Sequence, residues 1–222
     1  MSTHAGYKGP ADCPSVIPIF PLPGALLLPR GQMPLNIFEP RYLAMIDDAL
    51  RTDRVIGIIQ PDAEGGASPM SPKLYRVGCA GRLTQFAETG DGRYLVSLTG
   101  ISRFRVESEL ASASAYRRCQ VSYDDFAVDF TARAGEDAVD REGVLRALRD
   151  FVDSNDLKVD WAGIEEAPNE ALVNALCMMS PFGVREKQAM LEAADLKTRA
   201  EILVAVTEME MVRGSSPEST MQ

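Results

Sequence analysis

The chain has a single histidine, His4, close to its start. A Ser-His-Asp or Cys-His arrangement inside the folded body is thereby excluded, as is a zinc site built on imidazole. The four cysteines, Cys13, Cys79, Cys119 and Cys177, are far apart and form no CxxC pair. Neither a zinc cluster nor a disulfide framework is signalled, so free thiols buried as small apolar groups are expected. Lysine is also scarce. Of Lys8, Lys73, Lys158, Lys187 and Lys197, only the last precedes Ser or Thr, and it lacks the upstream glycines of a phosphate-binding loop. No apolar run approaches the ~18 residues that span a bilayer. Met1 to Pro14 lacks the apolar core of a signal peptide, so a cytoplasmic protein without membrane contact is expected.

Charge is unevenly placed. The net charge is -9. Up to residue 125 acidic and basic side chains balance at thirteen each; after it nineteen acidic face ten basic. An acidic second half argues against a nucleic-acid partner, because phosphate binding needs a positive field. Adjacent carboxylates occur at Asp47-Asp48, Asp124-Asp125, Glu136-Asp137 and Glu165-Glu166, and read as solvated faces. Gly90-Asp91-Gly92 joins two alternating segments, so it reads as a hairpin and not as a dinucleotide fingerprint. The residues therefore assign no catalytic group, no metal ligand and no cofactor site.

What is present begins at Val16. The stretch to Ala49 carries Pro18, Pro21, Pro23, Pro29, Pro34 and Pro40, yet is strongly apolar. Proline forbids a long helix or an inner strand there, and the apolar content forbids a disordered linker. Short extended pieces broken by turns are expected. Pro40 stands where a helix begins, with Phe38 and Leu43 spaced to staple it, and Leu43, Ile46 and Leu50 carry it to about Arg51. Val55–Ile59, Leu74–Glu88, a segment through Tyr94, Val96 and Leu98, another at Phe104 and Val106, and Cys119–Tyr123 read as strands. Gly100 is expected to break the chain between two of them, and residues 60–72 to form a loop. After Asp125 the period changes. Val144 to Val152, Leu172 to Met179 and Ile202 to Met209 each show helical spacing, with a shorter helix at Arg185 to Ala194. The expected fold is α+β: a six-stranded β pseudo-barrel over residues 15–125, then a helical bundle over 126–213, flanked by tails at 1–14 and 214–222.

Ile17–Leu22, Pro34-Leu35 and Phe38–Tyr42 together resemble the N-terminal domain of Lon-type ATP-dependent proteases, and among these its stand-alone bacterial members. The likeness continues through Val55–Gln60, Leu74–Gly78, Leu98–Gly100, Arg103–Val106, Pro168–Leu172, Pro181-Phe182 and Glu186–Leu191. It implies a PUA-like pseudo-barrel followed by a helical bundle. It also implies capture of unfolded protein or peptide segments, as that domain does in the full protease, with ATP hydrolysis and peptide cleavage left to other domains. The sequence carries no phosphate-binding loop and no protease domain, so binding without catalysis is the expected activity. PUA-like folds often bind RNA, and the charge distribution weighs against that use here. Phe38, Glu39, Arg41 and Tyr42 are the candidate substrate contacts. The competing reading of these residues is structural, with Phe38 stapling, Pro40 starting the helix, Tyr42 packing and Glu39 pairing with Arg41 or capping the helix. Other whole-protein readings are a small enzyme with a site hidden from sequence and an oligomerising subunit. A protease or chaperone, and further copies of the chain, are the partners left open.

Overall fold

The structure, a computed structural model, describes residues 6–62, 72–111 and 113–215. It divides into two compact units, residues 1–132 and 133–222. His4 and most of the expected 60–72 loop lie outside the described residues, as do positions 216–222 of the expected C-terminal tail.

The first unit holds six strands: β1 (Val16–Pro21), β2 (Gln32–Ile37), β3 (Val55–Ile59), β4 (Val77–Glu88), β5 (Tyr94–Glu109) and β6 (Arg117–Ser122). They are ordered β2-β5-β4-β3-β1-β6, and β6 also pairs with β5. Five strands therefore close into a barrel, which removes their edges. Among the described residues β2 alone lies outside the ring, paired only with β5. β1 and β3 run parallel, and every other pair is antiparallel. The crossover between β1 and β3 contains β2 and one helix, α1 (Pro40–Arg51).

β5 is one strand, not the two expected. Gly100 does not break it. A Cβ there would lie 2.0 Å from the Leu28 carbonyl oxygen, so glycine lets the two backbones meet. The strand bends instead, with a register shift against β4 between Ala80 and Gly81. Its first half pairs with β2 and its second half with β6. Phe104, fully buried, packs its ring over Gly78, where a Cβ would come within 2.5 Å of the ring and 2.6 Å of the Ile58 carbonyl. The expected turn at Thr89–Gly92 is present, with positive φ at Gly90 and Gly92 and a Thr89 N–H bond to the Arg93 carbonyl at 3.0 Å.

A short 3-10 segment, Asp124–Phe130, is fixed to β5 by a buried ion pair. Asp129 Oδ2 accepts from the Arg103 backbone N–H and from its Nε, each at 2.9 Å, and Oδ1 accepts from Nη2 at 2.9 Å. The Arg103 guanidinium also stacks 4.6 Å from the centre of the Phe126 ring. Residues 6–14 of the expected N-terminal tail carry a 3-10 turn at Pro10–Asp12. Tyr7 packs against the barrel core and its hydroxyl accepts from Arg82 at 3.0 Å.

The second unit is helical: α2 (Arg141–Ser154), α3 (Trp161–Glu166), α4 (Asn169–Met179), α5 (Val184–Glu192) and α6 (Leu196–Ser215). α3 is too short to show a period, and the sequence reading missed it. Asp140 and Asp160 cap α2 and α3 by accepting from Gly143 and Gly163 N–H groups. Arg141 donates to the carbonyls of Ile164, Glu165 and Ala167 at 2.8–2.9 Å and to Asn169 Oδ1 at 2.7 Å. It thereby satisfies the orphan carbonyls at the end of α3. Buried Arg199 on α6 donates to Met190 of α5 and to Asn174 of α4, which joins three helices. Met179, expected on the apolar stripe of α4, is instead 82% exposed, and Met209 of α6 is largely exposed as well. No described helix is long and apolar enough to cross a membrane.

Candidate functional site

The start of α1 builds one wall of a groove on the first unit. Pro40 occupies the first helical position, where its missing N–H would have had no partner. Glu39 precedes it in an extended conformation and makes no side-chain cap. Its carboxylate instead accepts from Arg41, with Nε at 3.0 Å and Nη2 at 2.8 Å. Tyr42 is turned inward by the helix and stacks on Phe20 of β1, ring centroids 4.2 Å apart. The Arg41 guanidinium covers the other part of this pair, 4.6 Å from the Tyr42 ring centre. Burial raises the Tyr42 hydroxyl pKa above its ordinary value. That hydroxyl makes no hydrogen bond among the described residues. The buried stripe of α1 is Tyr42, Met45, Ile46 and Ala49, displaced from the expected Leu43–Ile46–Leu50 line, because the helix leans on β1 through Tyr42.

Phe38 departs from its structural expectation. It is 61% exposed, too little buried for stapling the helix to be its main role. Its ring stands at the groove with the Arg93 guanidinium 6.0 Å from its centre.

The groove encloses about 550 Å³. Phe20 and Leu22 line it from the end of β1, Leu35 and Asn36 from β2, and Phe38 and Tyr42 from the entry to α1. Tyr116 and Arg117 close the far rim. Arg117 is engaged by Glu109, at 2.7 and 2.5 Å, and by the Pro72 carbonyl at 2.7 Å. The Tyr116 hydroxyl donates to Asp48 at 2.8 Å. All four candidates, Phe38, Glu39, Arg41 and Tyr42, therefore line one open groove. Phe20, Leu22 and Leu35 were not singled out from sequence. The signal available for them was proline spacing, since Pro21 and Pro34 mark strand stretches that carry no full ladder on both sides. The polar side chains do not converge on one point: Arg41 and Glu39 hold each other, and Arg117 holds Glu109.

The thiols are elsewhere. Cys79, Cys119 and Cys177 are buried, Cys13 is partly buried, and none of the four is in a disulfide among the described residues. Burial pushes Cys119 up to about 11 and Cys177 up to about 12. Among the described residues no three His, Cys, Asp or Glu side chains gather to hold a metal.

The model of the ATP-dependent protease La (LON) substrate-binding domain matches residues 16–207. The chain is 28% identical over 204 residues to Lon protease 2 of Myxococcus xanthus, covering 90% of this chain and 24% of that protein. It is 29% identical over 214 residues to Lon protease 2 of Sorangium cellulosum, covering 92% of this chain and 26% of that one. The chain thus spans about a quarter of the length of the curated relatives it matches. In fold it is similar to the Lon N-terminal domain protein from Xanthomonas campestris, with TM-score 0.60 and 23% identity over 86% of this chain and 97% of the other. It is also similar to the N-terminal domain of Mycobacterium avium complex Lon protease, with TM-score 0.64 and 17% identity over 87% and 98%. The α+β barrel followed by helices is the architecture expected from the sequence, and the chain belongs to the ATP-dependent protease La (LON) substrate-binding domain family.

Proposed function

We propose that this chain is a non-catalytic recognition module that holds exposed apolar segments of unfolded protein in the groove beside α1. One observation carries the reading. A large aromatic, Phe38, remains 61% exposed at the mouth of an open groove of about 550 Å³ whose lining is mainly apolar. A concave, mainly apolar surface open to solvent is a candidate interaction site, and an exposed aromatic at its mouth extends it. In this reading Phe38 is the anchor, Phe20 and Tyr42 form the floor, and the Glu39–Arg41 pair is a polar rim. The family match supports it, because the region matched is a substrate-binding domain. The chain would then serve protein quality control in the cytoplasm as an adaptor, with a protease or chaperone receiving the client.

The test is binding of a reduced, alkylated polypeptide that cannot fold, followed by fluorescence anisotropy. Phe38→Ser removes about 2 kcal/mol of apolar burial on binding, so affinity falls roughly 10–30-fold. The double change of Glu39 and Arg41 to Ala alters capture more weakly. Unchanged capture by Phe38→Ser, with the fold intact, overturns the assignment of the groove.

A further inference from the structure

We propose that the groove binds its client as an added β-strand, hydrogen-bonded to the free edge of β2. The proposal rests on the groove being the peptide-binding surface and adds the mode of binding and the class of segment bound.

Among the described residues β2 is the one strand of the sheet outside the closed ring, and its far side has no strand partner. The bond from Gly100 N–H to the Gly31 carbonyl fixes the alternation along it. Met33, Leu35 and Ile37 turn their backbone groups toward β5, while Gln32, Pro34 and Asn36 turn theirs to the free side. Pro34 thus sits where its missing N–H costs no ladder bond. Asn36 keeps both its N–H and its C=O, unpartnered among the described residues, and lines the groove. On the opposite wall, pairing of β1 with β6 ends at Ile19, and Phe20 and Pro21 continue along the groove. The space therefore lies between a strand edge and a strand end.

Proline sets the length. Pro34 lacks a donor in the middle of β2, so the edge cannot template a long sheet, which is the usual hazard of an open edge. A short segment can still pair twice at Asn36 and donate to the Pro34 carbonyl. Every second side chain of such a strand faces the apolar lining, and the others face water. The Tyr42 hydroxyl, unpartnered and lining the groove, offers one further hydrogen bond.

The charges at the rim are paired: Arg41 with Glu39, Arg117 with Glu109 and Arg93 with Asp91. Selection therefore falls to the strand edge and the apolar lining. The occupant is a short extended segment of polypeptide, apolar at alternate positions.

The probe is a fluorescein-labelled peptide of alternating Val and Thr with Asp at both ends, tested with the full chain. Two isomers are N-methylated on alternate residues, one on each backbone edge. Strand addition expects one isomer to bind at least about tenfold more weakly and the other within about twofold of the parent. Asn36→Pro, which removes the edge donor and no ladder bond to β5 and suits an extended backbone, gives a similar loss, while Asn36→Ala stays within about twofold. In the unaltered protein, saturating peptide slows exchange of the Asn36 amide about tenfold and leaves the already paired Ile37 amide unchanged. Equal binding of both isomers and an unprotected Asn36 amide overturn strand addition; if Phe38→Ser still weakens the parent peptide, the groove reading survives. No binding of the parent peptide overturns both.

Discussion

Replacing Asp129 by Ala should destabilise the first unit by about 3–5 kcal/mol, the range for breaking one side of a buried ion pair. The structure supplies the reason. The Arg103 side chain is 2% exposed and that of Asp129 is 7% exposed. The substitution deletes two hydrogen bonds from the guanidinium and one from the Arg103 backbone N–H. It leaves a cation that cannot lose its proton in a site water does not reach. For a unit of this size the loss corresponds to a fall in unfolding temperature of about 10–20 °C. Urea unfolding followed by far-UV circular dichroism measures it. Added salt should not restore the loss, because the pair is shielded from solvent ions. Combining D129L with R103M should cost less than D129A alone, since no buried charge stripped of its counter-ion remains. A loss below about 1 kcal/mol for D129A would refute the reasoning. So would a double variant as damaged as the sum of the single ones.

Gly78→Ala should cost about 1–3 kcal/mol in thermal unfolding, because the new methyl meets both the Phe104 ring and a backbone carbonyl. Arg141→Ala should lower the stability of the second unit by about 1.5–3 kcal/mol, and Arg141→Lys should recover only part, since one ammonium cannot reach four acceptors. Cys177 carries a pKa pushed up to about 12 from an ordinary 9.0, so the folded state holds its proton more tightly than the unfolded one. Its contribution is complete below pH 9.0 and is lost as pH rises from there toward about 12. Urea midpoints measured across that window should fall, and Cys177→Ala should flatten the slope. Phe38→Ser should leave the unfolding temperature unchanged within the ~0.5 kcal/mol typical of exposed sites, which separates its effect on binding from any effect on folding.

Local chemistry was legible in the sequence. Pro40 announced the first turn of α1, and Thr89–Gly92 announced the hairpin, because each depends on backbone angles that few residues adopt. The change to helices after the barrel was legible from period alone, whereas the strand boundaries were not: β5 was read as two strands, and β1 and β2 only as short extended pieces. Features that depend on distant partners were not. Gly100 has the same local signature as a strand break, and only the approach of Leu28 shows that it is a bend. Met179 fits a helical stripe by spacing, yet nothing covers that position within its unit to bury it. At the candidate site Phe38 to Tyr42 were visible as a motif. The floor was not, because Phe20 reaches Tyr42 across a sequence gap that no periodicity spans.

The division at residue 132 sorts the chromophores. All six tyrosines, from Tyr7 to Tyr123, belong to the first unit, and the single tryptophan, Trp161, belongs to the second. The protein thus carries a separate intrinsic reporter for each half. Tyrosine near-ultraviolet dichroism follows the barrel, and tryptophan emission follows the helices. Coincident transitions would mean that the halves unfold as one cooperative unit; separated transitions would give each half a stability of its own.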